Sequence, residues 1–139
     1  MAESILASVG APRFRAFSAG IEGRGPANAD VLEFLAGHHL PVASLRAKPL
    51  EEFRADTAPR MDFIIALCDT AAHGLADWPG EPFVAHWNIR ADGAAGDESH
   101  RDQFWTLMRR IKIFTSLPHG EINRRVLQRR ALTLQASYL

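Results

Sequence analysis

The chain has 139 residues, 47% of them hydrophobic and 23% charged, which suits one domain with a core of its own. Its 16 basic residues balance 16 acidic ones, and a net charge of zero argues against a nucleic acid as the partner. The single cysteine, Cys68, excludes an internal disulfide and favours a reducing, cytoplasmic setting, while no stretch approaches the roughly 20 apolar residues of a membrane span.

The first residues predict an amphipathic helix, because Ile5, Leu6 and Val9 fall on one face at helical spacing. No Ser, Thr, Asp or Asn precedes this helix to accept its first amide hydrogens. A short strand is predicted over residues 14–17, and it ends in Ser18-Ala19-Gly20.

The middle of the chain alternates helices and strands. Asn28 is the predicted N-cap of a helix over 29–37, and a short helix with proline in its first turn is predicted over 48–53. Residues 61–68 form the clearest strand, whose continuous apolar run is typical of a parallel strand buried on both faces. Asp69 follows at a predicted helix start.

The last third contains a short strand over 82–87, a polar loop over 88–97 and a long helix over 98–116. The inner stripe of that helix is Phe104, Leu107, Met108, Ile111 and Phe114. A final helix is predicted over 121–137. Strands that alternate with helices indicate an α/β fold with a parallel sheet.

Five fragments in order give the chain a family resemblance: Met1-Ala2-Glu3, Ser18-Ala19-Gly20, Leu67-Cys68-Asp69, Trp78-Pro79-Gly80 and Ala85-His86-Trp87. The chain resembles the low-molecular-weight protein tyrosine phosphatases and the arsenate reductases of the same fold, and the third and fifth fragments favour the arsenate-reductase-like bacterial branch. The resemblance implies a three-layer α/β domain over 1–139, N-terminally truncated so that its first, central strand is missing, with a C-terminal helical extension over 120–137.

In this family the residues before Met-Ala-Glu form the catalytic loop, a cysteine and an arginine with five residues between them. Backbone N–H groups at a helix N-terminus bind the oxyanion there and lower the pKa of the thiol. The sequence contains no Cys-x5-Arg. We therefore expect an inactive chain that binds phosphate or arsenate only if the loop is restored, with no cofactor. An in-frame strand and loop upstream of Met1 would restore the enzyme.

Two residues are candidates for a catalytic role in the chain without its loop: Cys68 and Asp92. Cys68 ends the best strand and is an alternative thiol, although a buried strand-end cysteine is the favoured interpretation. The resemblance places a general acid in the loop after His86-Trp87, where Asp92 lies one position late and the flanking prolines are absent. Asp92 is thus either a displaced acid or a solvated loop residue.

The resemblance also implies a potassium-type site formed by Glu3, Ser18 and Asp62, whose oxygen ligands suit a hard cation. The alternative is that Glu3 and Asp62 are ordinary polar groups at the ends of elements. The six histidines lack the spacing of a metal site.

Loss of a central strand would remove about 7–15 kcal/mol of hydrophobic stabilisation, which is comparable to the whole stability of a domain. We therefore expect either that a second copy fills the gap, as a homodimer or strand-exchanged dimer, or that the sheet has closed up. A non-catalytic remnant that binds a partner is the second functional hypothesis.

Overall fold

A computed structural model describes residues 1–20, 23, 25–68, 74–75, 77–87, 89 and 97–117, with only the backbone at 97–99. Within these ranges the elements follow in the order α1 (Ala2–Val9), β1 (Gly25–Pro26), α2 (Ala29–Gly37), β2 (Arg46–Ala47), α3 (Glu51–Arg54), β3 (Phe63–Ala66), β4 (Phe83–His86) and α4 (Asp97–Thr115). This alternation is that of an α/β fold, as the sequence predicts.

Helix α1 packs against α4, and this contact forms the centre of the core. Ile5 of α1 is completely buried and belongs to the same cluster as the inner stripe of α4. Four of the five predicted stripe positions, Phe104, Leu107, Ile111 and Phe114, are buried, and Met108 is half-buried. The helical period of the apolar residues therefore identified the buried face of α4.

Helix α2 begins where the sequence predicts, because its N-cap is a hydrogen-bonding side chain. Asn28 Oδ1 accepts from the backbone N–H groups of Asp30 at 2.9 Å and Val31 at 3.3 Å. These bonds satisfy amides that have no partner within the first turn of a helix. Leu35 on the inner face of α2 is completely buried.

Strands β3 and β4 pair in parallel, with Phe63 opposite Phe83 and Ala66 opposite His86. Side chains alternate along β3: Phe63 and Ile65 face the large cluster of α1 and α4, whereas Ile64 and Ala66 face a smaller cluster that contains Trp78. Both faces of β3 therefore contact apolar clusters, but only Ala66 is buried and Phe63, Ile64 and Ile65 are half-buried, so the strand is less enclosed than its continuous apolar run predicts.

A second, antiparallel pair joins β1 to β2, which the sequence did not predict. Gly25 has a φ of 90°, a left-handed conformation that glycine adopts without strain. Gly20 extends the contact, since its N–H donates to the Lys48 carbonyl at 2.8 Å and its carbonyl accepts from the Leu50 N–H at 3.0 Å. Gly20 and Gly25 are therefore both held by backbone contacts to residues 47–50.

Two predictions about local structure are wrong. Residues 14–17 join no β ladder in the described part of the chain, where no neighbouring strand pairs with their backbone groups. The two aromatic rings of this segment pack in the core, Phe14 on Phe114 and Phe17 on Phe53. Cys68, interpreted as buried, is exposed, since β3 ends two residues earlier at Ala66.

The remaining differences concern boundaries. The short helix predicted over 48–53 begins only at Glu51, and β3 and β4 are shorter than the apolar runs that contain them. The helix start at Asp69, most of the loop over 88–97, the helix over 121–137 and the extension over 120–137 lie outside the described residues. No helix in the described ranges is long and apolar enough to cross a membrane.

Candidate functional site at the start of the first helix

A buried ion pair ties the first turn of α1 to the segment after β2. Lys48 Nζ lies 3.1 Å from Glu3 Oε1, and it also donates to the Arg46 carbonyl at 3.2 Å. The Lys48 side chain is 6% exposed and that of Glu3 is 11% exposed. Charges buried to this degree are tolerated only when each is paired, so the two side chains depend on one another.

The backbone holds Lys48 in place before its side chain reaches Glu3. The Lys48 carbonyl accepts from the Gly20 N–H, and the chain passes so close to Gly23 that a Cβ there would lie 3.2 Å from the Lys48 oxygen. The backbone of Lys48 is therefore already ordered, so the ion pair costs mainly the side-chain entropy of the lysine.

Two further polar groups in the same turn are buried. The hydroxyl of Ser4, a residue that is 1% exposed, donates to the Pro41 carbonyl. Glu3 Oε2 is buried and accepts no hydrogen bond from the described part of the chain. The first turn of α1 is consequently held at two points, by Pro41 and by Lys48, and it retains one acceptor oxygen.

A cleft of about 390 Å³ opens beside this turn. Its lining includes Phe17 and Phe53, whose ring centroids are 5.6 Å apart, and two acidic and two basic side chains. The basic groups are both paired: Lys48 with Glu3, and Arg46 with Glu52 at 2.8 Å. The charges in the cleft therefore cancel, and its walls do not favour an anion such as phosphate.

The amino group of Met1 lies at the same helix end. Burial lowers its pKa below the ordinary value of 8.0, while the nearby Glu3 carboxylate acts in the opposite direction and raises the pKa. The neutral amine is therefore favoured more than in a solvated chain end.

Cys68 lies two residues beyond β3, at the carboxyl end of the parallel sheet. The residues that follow β4 lie at the same end of the sheet. The Trp87 N–H donates to the Ala66 carbonyl at 2.7 Å, and the Ile89 N–H donates to the Leu67 carbonyl at 2.9 Å. The structure therefore brings Cys68 and the start of the Asp92 loop to the carboxyl end of the sheet. Asp92 itself lies outside the described residues, so its role stays a prediction.

The three residues of the expected potassium-type site have different environments. Glu3 is engaged by the Lys48 ammonium, whereas Ser18 and Asp62 are exposed. Among the residues that the structure describes, no three His, Cys, Asp or Glu side chains are grouped as a metal site would require. The potassium site stays a prediction, and the ammonium group already beside Glu3 fits a metal ion poorly, because like charges repel.

Lys48 is the residue that sequence reasoning missed. The sequence predicts Lys48 in the first turn of a short helix, where a lysine side chain is ordinarily solvated. Its buried partner Glu3 is 45 positions away, and no local period connects the two. A signal was available only in the family context, because Glu3 was already a candidate cation ligand.

Comparison with known proteins agrees with this architecture. The family model for low molecular weight phosphotyrosine protein phosphatase matches residues 1–83, which include α1, the Glu3–Lys48 pair and β3. No curated protein matches the chain. The matched segment covers more than half of the sequence, so the chain belongs to the low molecular weight phosphotyrosine protein phosphatase family.

Proposed function

We propose that the chain is the scaffold of a phosphatase-type domain whose thiolate chemistry depends on a Cys-x5-Arg loop that this sequence does not contain. The observation that carries the proposal is the family match over residues 1–83, the part of the chain in which α1 is packed with Ser4 and Ile5 buried. A helix N-terminus binds oxyanions through its N–H groups and dipole, and a rigidly packed α1 would hold that end in place.

We infer that Cys68 does not replace the cysteine of the missing loop. An active thiolate needs a nearby positive charge or helix end, and the first arginine after Cys68 in the sequence is Arg90. The basic groups of the cleft beside α1 are neutralised by their acidic partners. The chain as printed is therefore expected to be inactive.

The proposal is tested by an assay with p-nitrophenyl phosphate on three proteins. The chain itself and its Cys68→Ser variant should show no turnover. A chain extended before Met1 by a strand and a Cys-x5-Arg loop should gain turnover, and this should disappear when the cysteine of the loop is replaced by serine. Turnover by the printed chain that is lost in Cys68→Ser would overturn the proposal.

The substrate of the complete site is either a phosphate ester or arsenate. Leu67-Cys68-Asp69 and His86-Trp87 support the arsenate-reductase branch by resemblance, whereas a second thiol that would relay a disulfide is absent from the stretch 74–77. The extended chain, supplied with arsenate and an external thiol as the two-electron reductant, would release arsenite if the arsenate branch is correct. Hydrolysis of the phosphate ester without arsenite release would favour the phosphatase branch.

Partner binding is the second candidate function, and the edge of β3 favours it. Strand β3 pairs with β4 on one side, and the described residues supply no strand for the other side. Backbone groups on such an edge are a template for a further strand. We propose that a second copy of the chain pairs there, as a homodimer or a strand-exchanged dimer.

Size-exclusion chromatography with light scattering, repeated over a range of concentrations, measures this directly. The dimer predicts twice the monomer mass and a urea midpoint that rises with protein concentration. A monomer with one cooperative, concentration-independent transition would contradict it.

A further inference from the structure

We propose that Lys48 is the resident cation of the Glu3 carboxylate, so that the first turn of α1 needs no monovalent metal ion. The proposal concerns the stability of the fold and does not depend on whether the chain is active. It departs from the potassium-type site that the resemblance implies for Glu3, Ser18 and Asp62.

The charge at this position is already balanced. Lys48 Nζ lies 3.1 Å from Glu3 Oε1, and both side chains are largely removed from water. A metal ion bound to Glu3 Oε2 would share the carboxylate with the ammonium group, and the two positive charges would lie a few ångströms apart. Such charges repel strongly in a site that water does not screen.

The second carboxylate oxygen suits a neutral donor instead. Glu3 Oε2 is buried without a hydrogen bond from the described residues. A buried acceptor of this kind is commonly satisfied by one ordered water molecule, which adds no charge.

Two of the three side chains that the resemblance implies as metal ligands are exposed to water. Hard cations require several oxygen atoms directed at one point. Ser18 and Asp62 are exposed, and the Asp62 carbonyl already accepts from the Phe83 N–H at 3.0 Å. The contacts around Glu3 come instead from Lys48, whose own second acceptor is the Arg46 carbonyl at 3.2 Å.

The backbone around Lys48 explains why a tethered cation is effective. Gly20 and Gly23 hold the Lys48 main chain beside α1. The ammonium group is therefore present at high effective concentration, whereas a free ion must be captured from solution. A tethered cation links α1 to the segment around Lys48 regardless of which salt is present.

Thermal unfolding of the complete chain, followed by circular dichroism, tests the proposal. The melting temperature should be equal in potassium, sodium and choline chloride at one ionic strength. Lys48→Met should lower it by roughly 10 °C or more, because Glu3 is left as an unpaired buried charge. Lys112→Met, which removes an exposed lysine on α4, is the matched control and should have little effect. The double variant Glu3→Gln/Lys48→Met should be more stable than Lys48→Met alone.

A saturable rise in the melting temperature of the unmodified chain with potassium, absent with choline, would overturn the proposal. So would equal effects of Lys48→Met and Lys112→Met. If Lys48→Met does not fold, the salt series on the unmodified chain still decides the question, because that measurement needs no variant.

Discussion

Replacement of Ile5 by alanine tests the claim that α1 is anchored in the core. Ile5 is completely buried on α1 and belongs to the cluster that contains Phe104, Leu107 and Phe114 of α4. Alanine preserves the helix and removes only the part of the side chain that fills the space between the two helices. The substitution therefore measures the packing of α1 against α4.

The expected loss follows from the atoms removed. Isoleucine has three more carbon atoms than alanine, and about 0.8 kcal/mol for each gives roughly 2.4 kcal/mol of lost transfer free energy. The cavity that remains brings the total into the range of about 2–5 kcal/mol. For a chain of 139 residues, about 2.4–4 kcal/mol lowers the melting temperature by roughly 8–14 °C.

Ile113→Ala is the matched control, because it makes the same change on a helix at a position that is 37% exposed. We expect Ile113→Ala to cost about 1 kcal/mol or less, since alanine is the better helix former and little cavity is left. Urea denaturation of both variants gives the two free energies of unfolding with the same m-value. Equal losses in the two variants would refute the placement of α1 in the core.

The remaining predictions concern individual polar groups. Asn28→Ala should cost about 1 kcal/mol in urea denaturation because two N–H groups of α2 lose their acceptor, whereas Asn28→Asp should retain most of the stability. Arg46→Gln should cost less than about 1 kcal/mol, and this cost should vanish in high salt, because its pair with Glu52 is exposed. The buried amino group of Met1 has a folded pKa below 8.0, so the unfolded chain binds more protons between that pKa and 8.0. Stability measured by urea denaturation should therefore rise with pH up to about 8, and acetylation of this amino group should remove that contribution; an equal slope in both forms would contradict it.

Much of the fold could be predicted because its signals are local or periodic. The stripe on α4 repeats at helical spacing, the apolar run of β3 is continuous, and Asn28 is a strong N-cap. Each of these signals depends on residues within a few positions of one another. For these three elements, long-range packing determines only which neighbours they contact.

The errors arose where tertiary contacts determine the conformation. Phe14 and Phe17 have strand propensity, but a strand also needs a neighbour to pair with, and no described strand pairs with residues 14–17. The apolar run before Cys68 predicts a buried side chain, yet Cys68 lies past the end of β3 and is exposed. The Glu3–Lys48 pair joins residues far apart in sequence, so no window along the chain contains both.

The two faces of β3 carry clusters of unequal size, and this difference has a consequence for local unfolding. One face packs on α1 and α4 in a cluster with seven buried residues, whereas the cluster on the other face has three, one of which is Ala66 of the strand itself. Less buried apolar surface means a smaller free energy for transient opening. Amide hydrogens of α3 and of the segment around Trp78 should exchange with deuterium through subglobal opening. Those of α4 should exchange only through global unfolding. We therefore expect β3 to separate a part of the domain that exchanges only by global unfolding from a part that also opens locally.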